Sequence, residues 1–293
     1  MKKTLSTRII LLSFGLIPLR VRVFLFRALF FLFYHVSEKH RIITVHNLVR
    51  AFPEKNLSEI IGIAKNVYRN MGTVAAEFFE IPNLTVENMS NWVTFEGLEN
   101  YEKARAKKKG ILFYTGHFGN WELLAACFGL KNMRVTIVYR ALDNPVLENF
   151  VAWFRSFTGH KVIPKGGAFQ RIVELLGCNE MIGILIDQNV AWKEGVFVDF
   201  LGRPASTTRR FADLALKTGA PVVSAFIIRQ ENGRYRIVIN KEIEVSRTGV
   251  YERDIFDTTQ NFTRVIEDMV RQYPDQYFWI HQRWKTKKSQ IET

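Results

Sequence analysis

The sequence predicts an α/β protein. Its core is a mainly parallel central sheet flanked by helices, with an N-terminal hydrophobic, membrane-associated helix in front. Three observations carry this. From Trp92 onward, short apolar runs alternate with helical stretches, the pattern of a sheet covered on both faces. Between Leu57 and Ala75, apolar residues recur at the three-and-four spacing of one helix face. Residues 1–50 are the most apolar part of the chain and also the most basic, with nine Lys or Arg against the single acid Glu38.

That first stretch carries +8 of the formal net charge of +13. Basic and apolar together suit an anionic lipid surface. They do not suit a nucleic acid, whose binding needs no run such as Leu29-Phe30-Phe31-Leu32-Phe33. Spanning a bilayer takes about 20 mostly apolar residues. Between Ile9 and Val36 such a span would place Arg20, Arg22 and Arg27 near its middle, costing about 8–10 kcal/mol against about 6–11 recovered from the apolar side chains. The expectation is therefore a membrane-embedded or interfacial helix whose arginines snorkel to the surface. No small-x-small cleavage site follows the run, so a removed signal peptide is disfavoured.

The organisation follows from this. Residues 1–37 form the membrane-associated segment and 38–293 the catalytic unit, with 38–90 a helical lead-in and 91–293 an α/β core. Phe52-Pro53 breaks the lead-in and Ile81-Pro82 ends it. The expected strands are Ile111–Thr115, Val135–Tyr139, Met181–Ile186, Val222–Ile228 and Tyr235–Ile243. The expected helices are Leu98–Lys107, Trp121–Leu130, Pro145–Thr158, Ala168–Leu176, Thr207–Thr218 and Ile255–Tyr273. Thr207 and Thr208 are read as N-caps, and the tail from Tyr277 to Lys285 as either core or membrane-interface packing. Cys127 and Cys178 form no CxxC or disulfide framework and are read as small buried apolar residues.

The sharpest feature is Thr115-Gly116-His117-Phe118-Gly119-Asn120-Trp121-Glu122, between a buried-type strand and an amphipathic helix. Asn120 is a good N-cap, which places Glu122 in the first helical turn. Five residues apart on one continuous helix, His117 and Glu122 would not face each other; a turn at Gly119 removes that obstacle. A carboxylate holding one imidazole nitrogen leaves the other free to take a proton, the arrangement of a general-base pair. A structural hydrogen bond is the plain alternative. No HExxH, Walker loop, GxGxxG or GxSxG is present, so no metal and no cofactor is expected.

At this motif the chain resembles the lipid A biosynthesis acyltransferases, the late lauroyl and myristoyl transferases of Gram-negative bacteria, within the glycerolipid acyltransferase superfamily marked by His-x4-Asp/Glu. Here that signature is His117 to Glu122. Further blocks fall in family order: Val45-His46-Asn47-Leu48 with Ala51-Phe52-Pro53; Val138-Tyr139-Arg140; Lys165-Gly166-Gly167 with Arg171; Asp187-Gln188; Phe197 to Gly202 with Ala205-Ser206-Thr207; Thr218 to Val223; and Trp279 to Lys285. Two positions depart from the pattern. Asn189 stands where many members have arginine after Asp-Gln, and Ser224 where a proline often follows Pro-Val-Val.

The resemblance implies a glycerolipid-acyltransferase-like fold and a reaction without metal. A fatty acyl chain passes from an acyl carrier protein thioester, or acyl-CoA, to a hydroxyl of a lipid A precursor. His117 is the base and Glu122 fixes its tautomer. Asn120 caps the helix or also donates to the developing oxyanion. Arg140, Lys165 and Arg171 either bind phosphate or sugar of the acceptor or make surface ion pairs. Asp187 and Gln188 either bind acceptor hydroxyls or cap a turn. The basic run Lys103 to Lys109 is either a docking face for an acidic carrier or a solvated helix face. The implied location is the cytoplasmic face of a bacterial inner membrane, with membrane lipid as a further partner. The alternatives are the same chemistry on another lipid acceptor (phospholipid, ornithine lipid or glycosylated lipid), or a non-catalytic lipid-binding protein.

Overall fold

The structure, a computed structural model, describes residues 4–287. Lys2 and Lys3 of the basic N-terminus lie outside the described residues. Helices α1 (Leu5–Gly15) and α2 (Leu19–Val36) open the chain, followed by α3 (Glu38–Ala51) and α4 (Leu57–Glu77). The core adds strands β1 (Val93–Glu96), β2 (Ile111–Thr115), β3 (Val135–Tyr139), β4 (Lys161–Pro164), β5 (Met181–Leu185), β6 (Gly195–Phe200), β7 (Arg203–Thr208), β8 (Val222–Arg229) and β9 (Tyr235–Ile239). Its helices are α5 (Leu98–Ala106), α6 (Trp121–Leu130), α7 (Pro145–Ser156), α8 (Ala168–Gly177), α9 (Arg210–Thr218) and α10 (Tyr251–Gln272).

Seven strands form one sheet in the order β1-β9-β8-β2-β5-β3-β4. All neighbouring pairs run parallel except β8 and β9. The α/β architecture and the mainly parallel sheet are thus as the alternation predicts. Successive residues of β2 face opposite cores: Leu112 and Tyr114 pack with α8, α9 and α10, while Ile111 and Phe113 pack with α5 and α6. This alternation buries both faces of the strand and explains its uninterrupted apolar run.

The N-terminal segment corrects one expectation. Among the described residues, no single helix is long and apolar enough to cross a membrane; α1 and α2 are bent by 99° at the break that contains Pro18. Two of the three arginines that make a span costly do not snorkel. Arg22 is fully buried, with Nη1 donating to the Phe14 carbonyl at 2.9 Å and Nη2 paired with Glu80. Arg27 donates from Nε to Thr73 Oγ1 at 2.9 Å. Their charges turn inward onto α4 and the segment that follows it. Leu5, Ile9, Leu12, Leu16, Phe24, Leu25, Phe31 and Leu32 face outward. Backbone contact between α2 and α4 depends on Gly72, where a Cβ would lie 2.8 Å from the Phe26 carbonyl oxygen.

Other details differ from the sequence reading. The β6–β7 hairpin replaces the predicted start of α9. Thr207 lies in β7 and accepts a hydrogen bond from Arg283 rather than capping a helix. The tail is core: Trp279, Arg283 and Trp284 are buried. Cys127 is buried, but Cys178 is exposed at the end of α8.

Candidate active site

Parallel pairing builds the site. In the β2–β5 register Thr115 lies opposite Leu185, so His117 and Asp187 each sit two residues past the paired positions, at adjacent carboxyl ends. Gly116 leaves the space the carboxylate occupies, since a Cβ there would approach Asp187 Cγ to 3.3 Å. Gly119 takes φ +57°, and a Cβ would stand 2.0 Å from the Ile227 carbonyl oxygen, so the turn that carries His117 toward β5 requires glycine.

Asp187 holds the histidine twice. Its Oδ1 lies 2.8 Å from His117 Nδ1, and its Oδ2 accepts from the His117 backbone N–H at 2.9 Å. An ionised carboxylate only accepts, so the Nδ1 nitrogen carries the hydrogen and Nε2 is left with its lone pair. The Gln188 side-chain amide lies 3.2 Å from that Nε2 and donates to it. The imidazole is about a fifth exposed, and its ring packs against Trp121 and Phe278.

Electrostatics match this geometry. Burial acts to lower the His117 pKa, but the charge and hydrogen bond of Asp187 outweigh it, with help from Glu122 and against Arg155, so the net shift is upward. Burial acts to raise the Asp187 pKa, yet His117, by charge and by side-chain and backbone hydrogen bonds, brings it down to about 2. His281, behind Asp187, is pushed down to about 4, mainly by burial.

Glu122 stands in the first turn of α6 as expected, but its hydrogen bonds go elsewhere. Arg155 Nε lies 3.1 and 3.2 Å from its two oxygens, the Arg155 Nη2 group also bonds it, and Trp121 Nε1 donates to it at 3.2 Å. Glu122 acts on the imidazole by charge rather than by contact. Asn120 is fully buried: Oδ1 caps α6 by accepting from Leu123 N at 3.1 Å, and Nδ2 donates to Glu77 at 3.2 Å. Both ends of its amide are committed inside the protein. Asp187 and Gln188, read from sequence as acceptor-binding residues, therefore touch the imidazole, while Glu122 and Asn120 do not.

The cations divide. Arg140 and Lys165 are exposed at the carboxyl ends of β3 and β4, on the same edge as His117. Arg171 is exposed on α8 and pairs with Glu174 at 3.3 Å. Lys103 to Lys109 lie along α5 and before β2, at the opposite edge of the sheet, and Lys107 pairs with Glu242 at 2.6 Å. Sequence reasoning missed Arg155. The available signal was an arginine set among Phe150, Trp153, Phe154 and Phe157 on an aromatic helix.

A cavity of about 400 Å³ lies on the far side of Trp121 and Phe278, the two rings that pack against His117; the histidine itself does not line it. Phe26 and Phe30 of α2, Met71, Val74 and Ala75 of α4, and the rings of Trp121 and Phe278 give it mostly apolar walls. Arg229 and Tyr235 line it at the ends of β8 and β9, both bonded to the buried Glu77. Among the described residues, no group of three or more His, Cys, Asp or Glu side chains is placed to hold a metal ion.

Residues 5–286 match the family model of the bacterial lipid A biosynthesis acyltransferases. The chain is 28% identical over 255 residues to the lipid A biosynthesis lauroyltransferase of Escherichia coli K12, covering 85% of this chain and 80% of that protein. It is 25% identical over 244 residues to the lipid A biosynthesis palmitoleoyltransferase of the same organism, covering 82% and 77%. A phosphatidylinositol mannoside acyltransferase of Mycobacterium tuberculosis matches at 23% over 184 residues, 58% of each chain. With a family match over nearly its whole length and relatives that are lipid A biosynthesis acyltransferases, this chain is an acyltransferase and belongs to the bacterial lipid A biosynthesis acyltransferase family.

Proposed function

We propose that this protein transfers a fatty acyl chain from the thioester of an acyl carrier protein, or of coenzyme A, to a hydroxyl of a lipid A precursor, with His117 as general base. The observation that carries the reading is the double hold of Asp187 on His117, which leaves Nε2 free to accept a proton, with an apolar cavity one ring away across Trp121 and Phe278.

The chemistry follows from the tautomer. The acceptor hydroxyl displaces the Gln188 amide and hydrogen-bonds to Nε2. As its oxygen attacks the thioester carbonyl carbon, the proton passes to Nε2, and Asp187 stabilises the imidazolium. The tetrahedral intermediate then expels the thiolate, which takes the proton back from Nε2. The products are an ester and a free thiol. Glu122, held by Arg155, adds negative potential that favours the imidazolium and fixes the start of α6. The cavity between α2, α4 and Phe278 suits the donor acyl chain in size and polarity. Arg140 and Lys165, on the other side of His117 along the sheet edge, suit acceptor phosphates. The outward apolar residues of α1 and α2 suit an interfacial seat on the cytoplasmic face of a bacterial inner membrane.

Incubating membranes with acyl carrier thioester and labelled lipid A precursor tests this. Transfer that disappears with His117→Ala is the expected result, and transfer unaffected by that change overturns it. The mannoside acyltransferase among the relatives favours one second reading, the same chemistry on another glycosylated lipid. A deletion strain whose lipid A mass is unchanged while another lipid shifts would select that reading.

A further inference from the structure

Asn189 is tied to the C-terminal tail. Its Nδ2 donates to Thr286 Oγ1 at 3.0 Å, and its Oδ1 accepts from Thr286 N at 3.1 Å. The same Thr286 hydroxyl donates to the Val190 carbonyl at 2.9 Å. The Asn189 backbone N–H donates to His281 Nε2 at 3.3 Å. Four residues, Asn189 and Val190 of the loop and His281 and Thr286 of the tail, thus share four hydrogen bonds, directly beyond Asp187 and Gln188. Upstream, the same tail holds the other half of the site: Phe278 N donates to the His117 carbonyl at 2.9 Å, and Gly119 N to the Gln276 carbonyl at 2.8 Å. Asn47 of α3 fixes the tail in turn, its Nδ2 lying 2.9 Å from the carbonyl oxygens of both Trp279 and His281.

We propose that Asn189 and Thr286 form a latch that fastens the loop carrying Asp187 and Gln188 to the C-terminal segment, and that both are positioning residues for the His117–Asp187 pair. The proposal rests on His117 being the base. The two loops touch each other through the Asp187 and Gln188 contacts to His117 and through the Ile186 N–H on the Thr115 carbonyl. A carboxylate 2.8 Å from Nδ1 at one point and 2.9 Å from a backbone N–H at another tolerates little movement of its loop. The tail supplies a common frame for both loops, and Asn189–Thr286 is its last fastening.

The groups that face the pair are few. Asp187, Glu122 and Arg155 act on His117, and His281, Arg283 and Tyr277 surround Asp187. His281, pushed down to about 4, stays neutral through the working range and keeps accepting from Asn189. A change in His117 titration on breaking the latch therefore reports a displaced Asp187.

The test uses the full-length protein in detergent micelles: wild type, Asn189→Ala, Thr286→Val, Thr286→Ser and the Ala/Val double variant. The first readout is the His117 imidazole titration followed by NMR, assigned with His117→Gln. The second is kcat and KM with acyl carrier thioester and lipid A precursor. The latch predicts a lower His117 midpoint and a roughly ten- to hundredfold loss of kcat in Asn189→Ala and Thr286→Val. It also predicts little change in KM, near wild-type behaviour for Thr286→Ser, and a double variant no worse than the poorer single. Folding is checked by circular dichroism; should Asn189→Ala unfold, the Val and Ser variants at position 286 decide. Wild-type titration and kcat in folded Thr286→Val, or single effects that multiply in the double variant, overturn the latch. Transfer that survives His117→Ala instead overturns the base assignment itself.

Discussion

Asp187 contacts His117 through both carboxylate oxygens, one on the ring and one on the backbone, although seventy residues separate them in sequence. The backbone contact fixes where the residue sits, and the ring contact fixes which nitrogen is free. Glu122, five residues from the histidine, is bound instead by Arg155 across the α6–α7 interface. The two carboxylates thus differ in their hold: Asp187 bonds the histidine itself, while Glu122, paired with Arg155, reaches the imidazole by charge alone.

The Glu122–Arg155 pair is mostly buried, so breaking one partner should cost more than removing both. Arg155→Met leaves an uncompensated carboxylate and is expected to destabilise the fold by about 3 kcal/mol, the low end for a buried pair because each side chain keeps some exposure. Glu122→Gln combined with Arg155→Met should cost less than the two single changes summed. Chemical denaturation of the four proteins measures the coupling.

The pH dependence has two signs. The folded Asp187 pKa lies below its ordinary 3.8, so its contribution to stability is present above 3.8 and is lost as pH falls toward about 2. The folded His117 pKa lies above its ordinary 6.5, so its contribution is present below 6.5 and is lost as pH rises through the folded value. Asp187→Asn should therefore flatten the acid limb of the unfolding curve between about pH 4 and pH 2. Because the base must be neutral, the acid limb of kcat/KM should sit above 6.5 in the wild type. Denaturant titrations and initial rates across pH check both.

Gly72 lets α2 and α4 touch backbone to backbone. Gly72→Val would set a side chain against the Phe26 carbonyl and the Arg27 Cα, prise α2 from α4 and expose Arg27. Expected are a lowered melting temperature and weaker binding to anionic vesicles in a flotation assay. Gly62→Ala, on the same helix with open space around it, should leave both unchanged.

Ala75 lines the apolar cavity on the α4 side. Ala75→Phe should fill part of that space and move the preferred donor toward shorter acyl chains, read as the ratio of kcat/KM across a series of acyl thioesters.

Much of this was legible in the residues. The apolar run Ile111–Thr115 marked the central strand, and the glycines around His117 marked the crowded turn that follows it. The pairing of His117 with Asp187 was not, because it depends on β2 lying beside β5, a register that spacing alone does not encode. The nearer acid, Glu122, drew the assignment by proximity in sequence, while its partner Arg155 lay on a helix with no local motif. Strand β4, four residues with a lysine and a proline, was too short and polar to register as strand, and the hairpin ending at Thr208 resembled a helix start because threonines cap helices. The inward turn of Arg22 and Arg27 likewise required the position of α4 to be known.

The central claim is that Asp187, through the imidazole, makes His117 a base. Its most direct test is the pH–rate profile of Asp187→Asn beside wild type in the acyl transfer assay. The account predicts that kcat falls roughly 10²–10⁴-fold and that the acid limb moves to lower pH, because the imidazolium has lost its counter-charge. A variant that keeps the wild-type rate and the wild-type limb would contradict it.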